Sequence, residues 1–170
     1  MPHKTVLVDP NDRIIGFQEV KKAHFNPVPL HRAISVIIFN KKGDQMLIHQ
    51  RAQNKFTWPG FWTNTCCTNV RPSETYLACA KRRLFEEMGI RTPLKKLFKF
   101  TYQAEYDQTY GENEVDTVFK GIYEGKIIPD PAEIGDYKWI KLTSLKKDIQ
   151  NNPQFYTPWF KIIMEKLSTI

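Results

Sequence analysis

Four groups of residues carry side chains whose types and spacing could do chemistry. In ETYLACAKRRLFEEMGI (74–90), Arg82 and Glu86 stand four residues apart, as do Arg83 and Glu87. On a helix each pair shares a surface. Two chemistries fit. One is solvated ion pairs worth about 0.2–0.5 kcal/mol each. The other is a row of carboxylates holding a divalent cation against phosphate oxygens, since magnesium takes few protein carboxylates plus substrate phosphate. In GENEVD (111–116), Glu112 and Glu114 are two apart, so on a strand both project to one face. Like charges so placed repel unless a cation lies between them. The pattern reads as a solvated edge strand, or as two metal ligands, one doubling as an acid or base.

His24 and His31 lie in KKAHFNPVPLHR, an irregular stretch with two prolines. A lone histidine is more often a hydrogen-bonded structural residue, but two histidines with two glutamates make an oxygen/nitrogen donor set for a metal. The fourth group is RAQNKFTWPGFWTNTCC (51–67), where the cations Arg51 and Lys55 precede a Pro59-Gly60 turn and Cys67 closes an aromatic segment. A free cysteine is usually a small buried apolar group; beside a cation it becomes a poised acid or nucleophile. Cys66 and Cys67 lack CxxC spacing, which argues against a structural zinc cage.

These groups need elements to position them. Residues 33–40 (AISVIIFN) are β-branched and apolar, the pattern of a buried strand. The turn KKGD leads to a second strand over 45–52, and FWTNTCC is a further extended piece. Residues 74–89 read as a helix capped by Ser73, with Glu74 in its first turn, a buried stripe of Tyr76, Ala80, Leu84 and Met88, and Gly89 ending it. Extended runs follow at 97–106 and 113–123, then a strand at 137–142. Thr157-Pro158 opens a last helix to about Leu167. Strands mixed with helices and hairpin-length turns point to a mixed α/β (α+β) fold.

The chain has 170 residues, 41% hydrophobic and 25% charged, enough apolar mass for a core and an ordinary length for one domain, 1–170. With 25 Lys+Arg against 18 Asp+Glu, the net charge of +7 suits nucleic acid, an acidic membrane surface or a small anionic substrate, and charge alone does not choose. No apolar stretch approaches the roughly 20 residues of a membrane span, and the N-terminus lacks a secretory pattern. Three cysteines, two adjacent, argue against a disulfide framework and for a reducing compartment, the cytoplasm.

The 74–90 segment resembles a degraded Nudix box, G-x5-E-x7-R-E-U-x-E-E-x-G-U with U bulky and apolar. Glu74, Arg82, Leu84, Glu86, Glu87, Gly89 and Ile90 fit; Thr68 stands at the first Gly, and Arg83 stands where the hydrolases place a metal-coordinating Glu. That replacement speaks against nucleotide diphosphate hydrolysis. Over about residues 15–165, the blocks LHRAISVIIFN, RAQNKFTWPGFWTNTCC, RRLFEEMGI, ENEV and TPW are similar, in order, to those of the type I isopentenyl-diphosphate isomerases, a Nudix branch.

The resemblance implies a Nudix-type sandwich of mixed β-sheets flanked by helices, and a set of roles. Cys67 and Glu114 match the catalytic pair, and Tyr102 the tyrosine that hydrogen-bonds the glutamate. His24, His31, Glu112 and Glu114 match ligands of a first divalent ion, Mn2+, Zn2+ or Mg2+. Glu87 matches the residue that helps hold Mg2+ on the diphosphate. Arg51, Lys55 and Arg83 match diphosphate-binding cations, and Trp159 the aromatic residue over the substrate's carbon skeleton. Asn69 departs from the family, which has a histidine ligand there; an amide oxygen is a harder and weaker donor, which turns the expectation toward manganese or magnesium. Val20 stands where a lysine often precedes the first histidine, with Lys21 and Lys22 beside it.

The implied reaction moves a double bond between isopentenyl and dimethylallyl diphosphate. A tertiary cation forms between a carboxyl side (Glu114 with Tyr102), expected to protonate the alkene, and a thiol side (Cys67). The face of Trp159 would meet the developing charge. The expected partner is a small-molecule diphosphate substrate bound by a monomer, with no nucleic acid and no membrane span. A Nudix hydrolase of nucleoside or prenyl diphosphates is the alternative, and an RNA-binding module ranks last because the basic residues are scattered.

Overall fold

The computed structural model describes residues 3–168. Its elements are β1 (Lys4–Val8), β2 (Ile14–Glu19), α1 (Val20–Ala23), β3 (His31–Phe39), β4 (Gln45–Arg51), β5 (Trp62–Thr63), β6 (Cys66–Asn69), α2 (Tyr76–Met88), β7 (Lys95–Glu105), β8 (Gly111–Ile122), β9 (Ile134–Lys141), α3 (Leu142–Asn151) and α4 (Pro158–Leu167). Nine strands join through hydrogen bonds in one mixed sheet. The result is the mixed α/β architecture expected from the sequence.

β3 is the axis. Its run HRAISVIIF is buried on both faces, so both of its edges must also be paired, since an unpaired buried backbone group is costly. β8 runs parallel to it from His31↔Glu114 to Phe39↔Ile122. The other edge is shared: β6 takes Ala33–Val36 and β4 takes Ile38 and Phe39. β7 lies antiparallel on β8, and β9 antiparallel on β4.

Two apolar layers cover the sheet. On one side Ile34, Val36 and Ile38 pack with Ala80, Leu84 and Met88 of α2. On the other, Ile37, Met46 and Val118 pack with Leu145 of α3 and Phe160 and Ile163 of α4. Each such aliphatic side chain contributes about 1.5–3 kcal/mol when buried.

α2 differs from the expected helix at its start. Thr75, not Ser73, is the cap: its side chain accepts from the Ala78 N–H at 3.1 Å, while Ser73 sits at φ 68. Glu74 therefore precedes the helix, where it receives Arg82 at 2.5 Å. Gly89 ends α2 in the left-handed region as expected, and a Cβ there would meet Ile128 at 2.9 Å. α4 begins at Pro158 after Thr157, but the Thr157 hydroxyl donates to Thr63 rather than capping. β1, β2, α1 and α3 are additional to the expected elements.

Candidate active site

Strand register lays out the site. Tyr102 on β7, Glu114 on β8 and His31 on β3 stand directly opposite one another across three neighbouring strands. Opposed residues in a sheet share a face. On the far edge of β3, Cys67 opposes Ser35 and Asn69 opposes Ala33. His24 follows the short helix α1, and its carbonyl accepts from the Gly111 N–H at 3.0 Å, stitching it to the start of β8.

The four expected metal ligands converge. His24, His31, Glu112 and Glu114 are buried, and one ligand atom from each lies within 4.8 Å of the others. Both histidines present the same nitrogen: Nδ1 of His24 donates to the Val20 carbonyl at 2.7 Å, and Nδ1 of His31 to the Pro29 carbonyl at 2.9 Å. A carbonyl only accepts, so Nδ1 carries the proton and Nε2 is left with a lone pair. His24 Nε2 lies 2.9 Å from Glu112 Oε2, and His31 Nε2 3.4 Å from Glu114 Oε1. Lone pairs facing carboxylate oxygens need a proton or a cation between them. His31 Nε2 and Glu112 Oε2 are buried without a hydrogen-bond partner among the described residues. Backbone carbonyls that fix the far ring nitrogen are the usual outer support of metal-bound histidine. The donor set therefore fits a divalent ion.

Without an ion, the proton is the substitute. Burial pulls the His24 pKa down, but Glu112 beside it more than reverses that and pushes it up to about 9. Glu114 goes the other way. Burial raises its carboxyl, and hydrogen bonds and charge from His31, with Tyr102 and His24, outweigh burial and leave it below the usual range. Tyr102 donates its hydroxyl to Glu114 Oε2 at 2.6 Å. Asn69 donates its amide to Glu114 Oε1 at 2.8 Å, so it supports the carboxylate rather than joining the cluster.

Cys67 lines the same cleft of about 390 Å3 as Tyr102, Glu112, Glu114 and Trp159. Burial pushes its thiol up to about 12; Arg51 opposes the shift, and Glu87, Glu114 and Asp116 reinforce it. Arg51 is nearly buried. Its Nε and Nη2 donate to the Thr57 carbonyl, Nε also reaches the Trp58 carbonyl, and Nη1 sits 4.0 Å from Cys67 Sγ. Its guanidinium also lies 5.3 Å from the Trp159 ring centre, and Trp58 meets that ring edge-on at 5.4 Å.

At the other end, Arg83 contacts Glu87 at 2.6 Å, Glu86 at 3.1 Å and Glu133 at 3.1 Å. Lys55 contacts Glu133 at 2.5 Å. Lys55 and Arg83 line the cleft; Glu87 is 2% exposed and sits behind Arg83, so the Arg83–Glu87 pair is not a solvated surface pair.

Three contributors escaped sequence reading. Asp116 continues the alternation of Glu112 and Glu114, and that period was the available signal. It is buried, accepts from the Ser35 hydroxyl at 2.7 Å, and is pushed well above the usual carboxylate range by burial and then by Glu114. Thr57 accepts from Arg51 and donates to Glu112 at 3.3 Å. Glu133 pairs with residues 78 and 50 positions away, a relation no local spacing reveals.

The NUDIX domain family matches residues 29–160. A protein from Photorhabdus laumondii named isopentenyl-diphosphate Delta-isomerase 2 is 42% identical over 163 residues, covering 96% of this chain and 91% of its own. One from Aromatoleum aromaticum named isopentenyl-diphosphate Delta-isomerase 1 is 40% identical over 167 residues, covering 98% and 93%. The chain belongs to the isopentenyl-diphosphate isomerase branch of the NUDIX family. Among solved structures, a Deinococcus radiodurans protein matches with TM-score 0.71 at 20% identity, covering 88% of this isomerase-family chain and 90% of that one. The MutT protein of Methanosarcina mazei matches with TM-score 0.68, also at 20%, covering 82% and 94%. At those identities the likeness shows the NUDIX fold. The His/Glu cluster is compatible with divalent-metal binding. No helix among the described residues is long and apolar enough to cross a membrane.

Proposed function

We propose that this protein interconverts isopentenyl diphosphate and dimethylallyl diphosphate. The observation that carries the reading is that a thiol, Cys67, and a carboxylate with an attached phenol, Glu114–Tyr102, open into one cleft whose wall includes Trp159. The reaction needs a proton delivered to the terminal alkene carbon and another removed from the carbon nearer the diphosphate, with a tertiary cation between. Two acid/base groups in one partly closed cleft meet that need without free water.

An alkene is a poor base and calls for the stronger acid. A carboxyl is a stronger acid than a thiol pushed up to about 12, so in the forward direction the Glu114–Tyr102 side donates and Cys67 accepts. The free protein holds its proton on Cys67 with Glu114 ionised. That is the state left after one forward turnover, from which the reverse reaction starts directly; the next forward turnover starts once the proton has passed back from Cys67 to Glu114. The Trp159 face stabilises the transient cation by on the order of 1–2 kcal/mol.

His24, His31, Glu112 and Glu114 would hold the first divalent ion, and Mn2+ or Mg2+ suits a set in which Asn69 replaces an imidazole better than Zn2+ does. Bound there, the ion would tune the acidity of Glu114. A second ion, Mg2+, would travel with the diphosphate near Glu87. Lys55 and Arg83 bind the diphosphate, with Arg51 placed to act on both the anion and Cys67. A monomer completes this reading, and three unpaired cysteines suit a reducing cytoplasm.

The test is a proton-NMR time course with isopentenyl diphosphate and added Mg2+ or Mn2+. Growth of dimethylallyl methyl signals is expected. Release of inorganic phosphate or of a monophosphate instead would establish the hydrolase alternative, which leaves Cys67, Trp159 and the Arg83 replacement without a role.

A further inference from the structure

One carboxylate in the cleft pairs with two of the three cations assigned to the diphosphate, Lys55 and Arg83. Glu133 precedes β9, in a segment tied to the end of α2 by Ile128 N–H to the Met88 carbonyl and Asp130 N–H to the Glu87 carbonyl, both 2.9 Å. Its own carbonyl accepts from Ala52 on the loop after β4 at 3.0 Å. The side chain lies between those two elements. Oε2 meets Lys55 at 2.5 Å and Oε1 meets Arg83 at 3.1 Å. Glu87 meets the same Arg83 nitrogen at 2.6 Å. Glu133 thus spans Lys55 and Arg83, and Arg83 is also met by Glu86 and Glu87.

We infer that Glu133 is a specificity-determining residue: it neutralises in advance the cations that would receive a diphosphate, so the cleft favours a diphosphate bringing its own divalent cation over a bare one. The inference rests on the reading that this cleft takes a diphosphate. A bare diphosphate entering beside Glu133 meets a like charge at contact range, with its two best partners already engaged. A metal-complexed diphosphate carries less negative charge and offers a cation to the same carboxylate. Charge complementarity of this kind acts chiefly on which ligand form is accepted. The backbone ties of the segment use main-chain atoms, so replacing the carboxylate leaves them in place.

The test uses inorganic pyrophosphate as the probe, titrated calorimetrically into the full chain with EDTA or with Mg2+. For the unmodified protein, affinity is higher in Mg2+. In Glu133→Gln, which keeps the size and removes the charge, the ratio of the two affinities shrinks by at least about fivefold, through tighter metal-free binding. Glu133→Asp keeps the charge and the original ratio. An unchanged ratio in Glu133→Gln, or a parallel fall in both arms, overturns the inference and leaves Glu133 a structural clamp. If the unmodified protein binds pyrophosphate in neither arm, the diphosphate reading falls with it.

Discussion

Asn69 donates its side-chain amide to Glu114 Oε1 at 2.8 Å, from the strand edge opposite the one on which Glu114 faces His31. The residue that replaces an expected imidazole ligand thus supports one ligand of a four-residue donor set. It gives the cluster a hydrogen bond and no lone pair.

Asn69→His should convert that support into a fifth donor. Metal affinity, read by competition with a chromogenic chelator, is expected to tighten by about tenfold or more, the scale on which support around a metal site acts. No gain would show that the four ligands do not form a common site with position 69.

Cys67→Ala should abolish incorporation of deuterium from heavy water into substrate, with turnover down at least about 100-fold. The side chain is small and only partly enclosed, so the thermal midpoint should hardly move. Persistent exchange would remove Cys67 from the chemistry.

The metal-free protein should lose stability as pH rises. His24 has its pKa raised from 6.5 to about 9. A raised histidine contributes stability that is fully present below 6.5 and is lost as pH climbs through about 9, here up to roughly 3 kcal/mol. Thermal midpoints in EDTA across pH 6–10 should fall in that window, and the fall should flatten in His24→Gln. A saturating divalent ion should also flatten it by taking the proton's place.

Much of this arrangement was legible in the chain. The β-branched run of β3, the helical stripe of α2 and the two-residue alternation of Glu112 and Glu114 each follow a local period, and each led to the right element or face. Local reasoning failed where a local signal competed or was missing. Ser73 and Thr75 are both good caps, and only the backbone choice of φ 68 at Ser73 decides between them. β2 leaves Ile14, Ile15 and Phe17 exposed, so it shows no alternation with a buried face. α3 begins without a side-chain cap. At the site, the imidazoles, the thiol and the acid were visible as residue types. The contacts that govern them, Asn69 to Glu114, Thr57 to Glu112 and Glu133 to Lys55 and Arg83, depend on strand register and loop packing.

Gly89→Ala should destabilise without touching the cleft. The residue has φ 69, and the added Cβ would come within 2.9 Å of Ile128. A loss of about 1–2 kcal/mol is expected in urea unfolding with an unchanged denaturant slope. Thr75→Ala at the other end of α2 should cost about 1 kcal/mol.

Three of the four ligands ride on long strands, whereas His24 hangs from a single helical turn joined to β8 by the Gly111 amide. That one amide is therefore a reporter. When an ion grips His24 and Glu112 together, opening of this stitch should become rarer and hydrogen–deuterium exchange at Gly111 should slow markedly, while exchange in β9 stays as it was. Loading of the centre can then be followed residue by residue, with no substrate present.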